Sequence, residues 1–184
     1  MEANQPHIIH LIERCKKSDK NAQLQLYNAY YKAMYNTAIR ILKDSFEAED
    51  VMQEAFLTAF TKLDSYKGEV AFGAWLKRIV INKSINQFRK NNRYEMAKME
   101  IVPENEIEEE LFETNKFHPK MILNAIQNLK ENYRIILTLH LIEGFDYEEI
   151  QQILNYTNEN VRTTILRAKN KLKQVLLAEM VYRL

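Results

Sequence analysis

The stretch Asp146–Lys173, DYEEIQQILNYTNENVRTTILRAKNKLK, constrains the fold more than any other part of the chain. It reads as two helices around a tight turn, the second loaded with base. Asp146 is placed to cap the first helix, and Glu149, three residues on, closes a capping box. Ile150, Ile153 and Leu154 give that short helix one apolar side. Asn155-Tyr156-Thr157 is a turn, because Asn tolerates the left-handed conformation of a helix exit, and Thr157 is the cap of the next helix. From there Val161, Ile165, Ala168 and Leu172 recur at the i, i+4, i+7, i+11 spacing of a buried stripe. Thr163, Arg167 and Asn170 fall opposite, with Arg162 and Lys169 on the flanks. Residues 160–178 contain Arg162, Arg167, Lys169, Lys171 and Lys173 and no acid. A capped short helix, a turn and a basic amphipathic helix are what entry into a DNA major groove requires. A solvated surface helix that happens to lack acids has the same pattern, so this stretch alone leaves both readings open.

The rest of the chain is equally helical in character. Only three Gly and three Pro among 184 residues disfavour a strand-and-turn architecture. Long runs of Ala, Leu, Ile, Glu, Lys and Gln favour helices throughout. Apolar content of 46% beside 28% charge is that of a globular protein. No apolar run approaches membrane-spanning length, and MEANQPHIIH lacks the basic start and apolar core of a signal peptide, so no membrane insertion is expected. The single cysteine, Cys15, excludes an intramolecular disulfide and fits a reducing compartment, with the cytoplasm as the expected location.

A net charge of +1 conceals a segregation along the chain. Residues 94–120 hold eight acids against three lysines, a net of −5, while the remainder carries 23 basic and 17 acidic residues. Apolar periodicity also fails in this acidic segment, which contains Pro103 and ends near Pro119. The expected organisation is therefore all-α: a helical domain over 1–94, an acidic linker over 95–120 with short helical pieces around Glu106–Phe112, and a helix-turn-helix domain over 121–184. Segregation of this kind suits nucleic-acid-binding lobes joined by an acidic connector.

In the first lobe, residues 1–20 are expected to form a short helix with Ile8, Ile9, Leu11 and Ile12 on its apolar side, and Ser18-Asp19 starts the next element. Asn21–Leu42 is a tyrosine-rich helix (Tyr27, Tyr30, Tyr31, Tyr35), in which packing is the simplest role for the rings. After a break at Asp44-Ser45, Ala48–Leu63 is a helix that buries Val51, Met52, Ala55, Phe56, Ala59 and Leu63. Asp50, Glu54, Leu57 and Thr61 line its other side, with Gln53 beside them. Acids and an amide around an exposed Leu57 suit contact with a basic protein partner, or equally an ordinary solvated face. Tyr66–Val70 is a loop that turns at Gly68. The helix Ala71–Arg93 is expected to direct Phe72, Trp75, Leu76, Ile79 and Val80 inward. Val70–Tyr94 has no acid but contains Lys77, Arg78, Lys83, Arg89, Lys90 and Arg93, interleaved with Asn82, Asn86, Gln87 and Phe88. Base, amide and aromatic side chains together suit phosphate contact and stacking on unpaired bases; for Trp75, a place in the core is an equal alternative.

In this order the motifs resemble the extracytoplasmic-function group of bacterial sigma-70-type sigma factors. EAEDVMQEAFLTAFTKL (47–63) looks like that family's helix for binding core RNA polymerase. FGAWLKRIVINKSINQFRK (72–90) looks like its promoter-melting and minus-10-reading helix. EEIQQILNYTNENVRTTILRAKNKLK (148–173) is similar to its minus-35-reading helix-turn-helix. The resemblance covers about 20–184. It implies a two-domain all-α fold and a binding function with no catalytic residue, metal or cofactor. Asp50, Gln53, Glu54 and Leu57 would dock on the clamp coiled coil of the polymerase. Trp75, Lys77, Arg78, Asn82, Asn86, Arg89 and Lys90 would hold the minus-10 element. Asn160, Arg162, Thr163, Thr164, Arg167 and Lys169 would read the minus-35 element of promoter DNA, and the second lobe would touch the polymerase flap. The acidic linker would lie in the polymerase cleft and imitate nucleic acid; an anti-sigma factor is a further implied partner.

Three positions depart from the family pattern: Asn155 where Gly is usual, Gln151 for a small Ala, and Asn86 for a frequent Asp. They bear on promoter preference and not on the class. An enzyme reading finds little support, since His7, His10, His118 and His140 are scattered and no HExxH, GxSxG or P-loop spacing occurs. His140, within IILTLHLI, reads as a packed or helix-surface residue. The Glu-rich run 104–113 lacks the alternating ligands of a calcium loop. The competing reading is a helix-turn-helix regulator that occupies an operator without docking on polymerase; it would have no need of the acidic face at Asp50–Glu54.

Overall fold

The computed structural model describes residues 5–91 and 117–181, which fall into two compact units, one within Met1–Met96 and one within Ala97–Leu184. The acidic run 95–116, the helical pieces expected at Glu106–Phe112, and Arg93 lie outside the described residues. Residues 118–120, at the end of the expected linker, are the cap and first turn of a helix.

The first unit contains α1 (Gln5–Lys16), α2 (Lys20–Leu42), α3 (Ser45–Thr61), a single 3-10 turn (Leu63–Ser65) and α4 (Phe72–Asn91). Helices α2, α3 and α4 each pack on the other two, and α1 lies against α2. Carboxylates start two of these helices. Asp19 accepts from the Asn21 and Ala22 N–H groups at 2.9 and 3.1 Å, and Asp44 accepts from the Glu47 N–H at 2.9 Å. Capping by Asp44 begins α3 at Ser45, three residues before the expected Ala48, and the helix closes at Thr61, leaving Leu63 to the 3-10 turn. In α1, Ile8, Leu11 and Ile12 are buried but Ile9 is exposed, since it lies off the stripe that the other three define.

The core of the first unit differs from expectation most in α4. Phe72, Leu76 and Val80 are buried as expected, whereas Trp75 and Ile79 are only half-buried. The buried stripe instead continues through Ile81, Ser84, Ile85 and Phe88. The i, i+4 rows that begin at Phe72 and Ile81 run along the helix, and Trp75 and Ile79 border them. Close packing at the start of α4 depends on Gly73: a Cβ there would stand 2.8 Å from Tyr30 Cε1.

The second unit contains α5 (Pro119–Gln127), α6 (Glu131–Leu137), a π-helical segment (Thr138–Ile142), α7 (Tyr147–Leu154) and α8 (Asn158–Val181). Helix α8 packs against α5, α6 and α7. Its stripe Val161, Ile165, Ala168, Leu172 and Leu176 is no more than 1% exposed. The capping box of α7 is complete: Asp146 accepts from the Glu149 N–H at 2.8 Å, and Glu149 accepts from the Asp146 N–H at 3.2 Å. Asn155 ends α7 in the left-handed conformation (φ 52°), and Thr157 Oγ1 accepts from the Asn160 N–H at 3.2 Å. Ile150 and Leu154 are buried; Ile153 is half-buried at the edge of the same face. Arg134, only 1% exposed, enters the core of this unit. Burial pulls its pKa down from the ordinary value, and the nearby Glu131 opposes that shift.

His140 is half-buried in the π segment, with Nδ1 3.2 Å from the Phe145 carbonyl oxygen. A carbonyl only accepts, so Nδ1 carries the proton of that bond. Burial lowers the pKa of His140 below its ordinary 6.5; the Phe145 bond raises it and the Lys169 charge lowers it further.

Two outcomes are expected from these local features. Asp146→Ala removes one half of the capping box and should destabilise α7 by about 1 kcal/mol, read as faster amide exchange in α7 and the start of α8. Unchanged exchange there would show that packing alone holds α7. For His140 the unfolded chain takes up its proton first, so stability is complete above about pH 6.5 and falls on acidification below it. The thermal midpoint should therefore drop as the pH falls below about 6.5, and His140→Gln should flatten that drop; an equal drop in the variant would assign it to other groups.

Candidate functional site

The outer side of α3 brings Asp50, Gln53, Glu54 and Leu57 onto one exposed face, with Leu57 68% exposed. The Thr58 and Thr61 hydroxyls donate back to the carbonyls of Glu54 and Leu57, both at 2.8 Å, so neither threonine adds an outward donor. Gln53 donates to Glu49 at 3.3 Å. Glu54 is not an isolated charge: its carboxylate accepts from Lys83 Nζ of α4 at 3.1 Å. Nearer the start of α3, Glu47 accepts from Asn91 at 2.6 Å and from Gln87 at 3.3 Å. Between these contacts runs a groove of about 360 Å³ lined by Glu47, Asp50, Val51, Glu54, Lys83, Asn86, Gln87 and Lys90. The acidic face of α3 and the basic face of α4 thus adjoin and share hydrogen bonds.

On α4, Arg78, Asn82, Asn86 and Lys90 are exposed at i, i+4 intervals, flanked by half-buried Lys77 and Arg89. Trp75 lies at the other end of this face. Its ring meets Tyr66 at 5.3 Å and Phe72 at 5.7 Å, and Phe72 meets Tyr30 edge-on at 5.5 Å. Phe72 is core; Trp75 packs on this cluster and retains an open side. Burial raises the pKa of Tyr30 and of Tyr66, so both rings are neutral phenols near neutral pH. The Tyr66 hydroxyl donates to the Val70 carbonyl at 2.6 Å and closes the loop between them, which turns at Gly68 (φ 77°). A closed loop beside a half-open indole offers both an apolar wall and a stacking face.

On α8, Asn160 and Arg162 are exposed, while Thr163, Thr164, Arg167 and Lys169 are half-buried. The Thr163 hydroxyl donates to the Glu159 carbonyl within the helix. The Arg162 guanidinium lies over the Tyr147 ring of α7, 5.9 Å from its centroid. Tyr147 in turn meets His140 at 5.3 Å.

Several participants lie outside the site residues that the resemblance implies: Glu47, Lys83, Gln87 and Asn91 along the α3–α4 groove, and Tyr147 beneath Arg162. Partners 29 to 44 residues apart in sequence carry no periodic signal of their meeting. Lys83 is visible in the sequence only as one base in an acid-free run. The Cys15 thiol is pushed up to about 11, chiefly by burial and also by the Asp19 charge, so it stays protonated near neutral pH. Among the described residues no group of three or more His, Cys, Asp or Glu side chains is placed to hold a metal ion. The arrangement presents charged, amide and ring faces to solvent.

Comparison with known proteins agrees in order and extent. Residues 26–94 match the family model of sigma-70 region 2, and residues 120–172 match that of sigma-70 region 4. The chain is 30% identical to the RNA polymerase sigma-H factor of Pseudomonas aeruginosa, covering 90% of this chain and 92% of that protein. It is also 30% identical to the extracytoplasmic-function RNA polymerase sigma factor SigW of Bacillus subtilis, covering 90% and 94% respectively. The fold is similar to that of the sigma factor RpoE from Bartonella quintana, solved with the anti-sigma factor NepR (TM-score 0.54, 24% identity, 83% of this chain and 94% of that one). It is similar as well to CnrH solved with the cytosolic domain of CnrY (TM-score 0.53, 24% identity, 91% and 96%). With both regions matched in the expected order and relatives aligned along nearly their whole length, the chain belongs to the extracytoplasmic-function group of the sigma-70 family of RNA polymerase sigma factors.

Proposed function

We propose that the chain works as a promoter-specificity subunit with a division of labour between its two units. The first docks on core RNA polymerase and holds the minus-10 element, and the second reads the minus-35 element. The observation that carries this division is the adjoining pair of faces on α3 and α4, acidic beside basic, in the same chain as a capped helix-turn-helix. A regulator that only occupies an operator has no use for the first unit, and the region 2 match over residues 26–94 decides between the two.

In this reading Asp50, Gln53, Glu54 and Leu57 form the polymerase dock, with Leu57 as its apolar centre and the acids facing basic groups of the clamp. Lys77, Arg78, Arg89 and Lys90 hold phosphates of the minus-10 strand. Asn82, Asn86 and Trp75 face the opened bases. Asn160, Arg162, Thr163, Thr164, Arg167 and Lys169 lie in the upstream major groove. The domains are 1–94 and 118–184, the second beginning at the cap of α5; the acidic linker between them occupies the polymerase cleft by its likeness in charge to nucleic acid. Partners are core RNA polymerase, through clamp and flap, promoter DNA and an anti-sigma factor. The place of action is the cytoplasm, and no helix among the described residues is long and apolar enough to cross a membrane.

Transcription reconstituted with cognate core polymerase tests the whole reading. Initiation at cognate promoters should require this protein, and initiation that is independent of it over a range of such promoters would reject the proposal. Asp50→Lys combined with Glu54→Lys should weaken core binding by about 2–5 kcal/mol with helicity unchanged. Because Glu54 also pairs with Lys83, Lys83→Ala is the control: an exposed pair of this kind is worth under about 1 kcal/mol, so core affinity should hardly change in it. Full core affinity in the double variant would show that the face is merely solvated. Arg167→Ala should cost about 1–3 kcal/mol of preference for the upstream element. Loss of Lys77, Arg89 or Lys90 should weaken binding across sequences and reduce its salt slope. Permanganate footprinting of the open complex should locate the effect of Asn82→Ala at the melted segment. Upstream preference that survives Arg167→Ala but shifts with Asn82→Ala would reverse the roles of the two units.

A further inference from the structure

The geometry points to Tyr147, the first residue of α7, as a positioning residue that aims the Arg162 guanidinium of α8. This rests on the reading of α8 as the upstream DNA reader.

Arg162 follows the fully buried Val161 and stands exposed on α8. A long exposed arginine ordinarily samples many rotamers, and ordering it on binding costs conformational entropy. Here its guanidinium already lies over the Tyr147 ring, with the carbon 5.9 Å from the ring centroid. A cation–π contact is electrostatic and uses no N–H hydrogen bond, so the guanidinium donors remain for an acceptor such as a guanine edge or a phosphate oxygen. Aiming costs none of the donors that reading needs.

The ring is itself fixed from two sides. Its backbone is the first helical residue after Asp146, and the capping box between Asp146 and Glu149 sets the helix entry there. Its side chain is half-buried and tilted by 53° against the His140 imidazole, 5.3 Å away. That imidazole is held by the Phe145 carbonyl at 3.2 Å. A chain of contacts therefore runs from the π segment through α7 to the reading face of α8. The first helix of the motif presents the second helix's arginine as well as packing against it.

The test uses the full chain bound to core polymerase, on promoters selected from a random pool by the wild-type holoenzyme. Affinity is compared for the intact and the scrambled upstream element. Tyr147→Leu, which keeps apolar bulk but removes the ring, should lose roughly two- to five-fold of the preference for the intact element, the range of an exposed cation–π contact. Tyr147→Phe keeps the ring and should retain wild-type preference. In an Arg162→Ala background Tyr147→Leu should cause no further loss. Thermal midpoints measured alongside separate aim from folding, since a purely structural role would lower the midpoint and would not be silenced by Arg162→Ala. An Arg162→Ala loss together with wild-type preference in Tyr147→Leu would overturn the positioning role alone. Additive losses in the double variant would overturn it too. No loss in Arg162→Ala itself would remove Arg162 from the reading face, and the role of Tyr147 with it.

Discussion

Burial of one narrow apolar stripe per helix is the constraint on which both units depend. On α8 the stripe from Val161 to Leu176 is pinned against α5, α6 and α7, which fixes the helix's rotation about its own axis. Once that rotation is set, the five bases between residues 160 and 178 must lie on the flanks or outside. The same logic governs α4, where Phe72, Leu76, Val80, Ile85 and Phe88 face inward and Arg78, Asn82, Asn86 and Lys90 are left exposed. The exposed polar and basic faces are thus the complement of the core. A polar substitution within either stripe would turn the face as well as weaken the unit.

The α3–α4 groove shows how two surfaces of opposite charge share one edge. Helix α3 presents acids and α4 presents bases, and their nearest members bond to each other: Glu54 to Lys83, and Glu47 to Gln87 and Asn91. Such contacts are weak where water reaches them, because screening removes most of the Coulomb energy and two long side chains must be ordered. Weakness suits their place. Under the proposed docking role, a basic group of the partner would take over Glu54 at small cost and release Lys83. Coupling of this kind is bounded by the strength of the pair it exchanges, so it modulates binding and cannot by itself gate it.

How much is legible in the sequence follows the range of the interaction. The capping box at Asp146 and Glu149, the left-handed Asn155, the Thr157 cap and the α8 stripe are all set by residues within a turn or two of each other, and all are found as expected. Asp44 reads as a break in the sequence when its carboxylate in fact begins α3, because Asp serves either role and only the bond to the Glu47 N–H distinguishes them. Hydrophobicity alone directs Trp75 and Ile79 inward, yet the stripe passes through Ser84, a polar residue small enough to be fully buried. Arg134 in the core and the π segment at Thr138–Ile142 carry no short-range sign at all. The contacts that join elements, Glu54 with Lys83 and Arg162 with Tyr147, lie beyond any periodic signal, and they are what turn separate candidate residues into faces.

The helix-turn-helix also shows why its first helix has to be accurately placed. A major-groove reader makes few base contacts, each sensitive to small displacements of a guanidinium fork. In this chain the start of α7 is fixed by two reciprocal capping bonds, and the ring at its first helical position lies beneath an arginine of the next helix. The turn between the helices is three residues long and passes through a single left-handed Asn, so it has little freedom to dissipate a shift of α7. Displacing the cap would therefore move the ring, and moving the ring would move the arginine. Local backbone chemistry at Asp146 thereby reaches a side chain sixteen residues later, on the exposed side of α8.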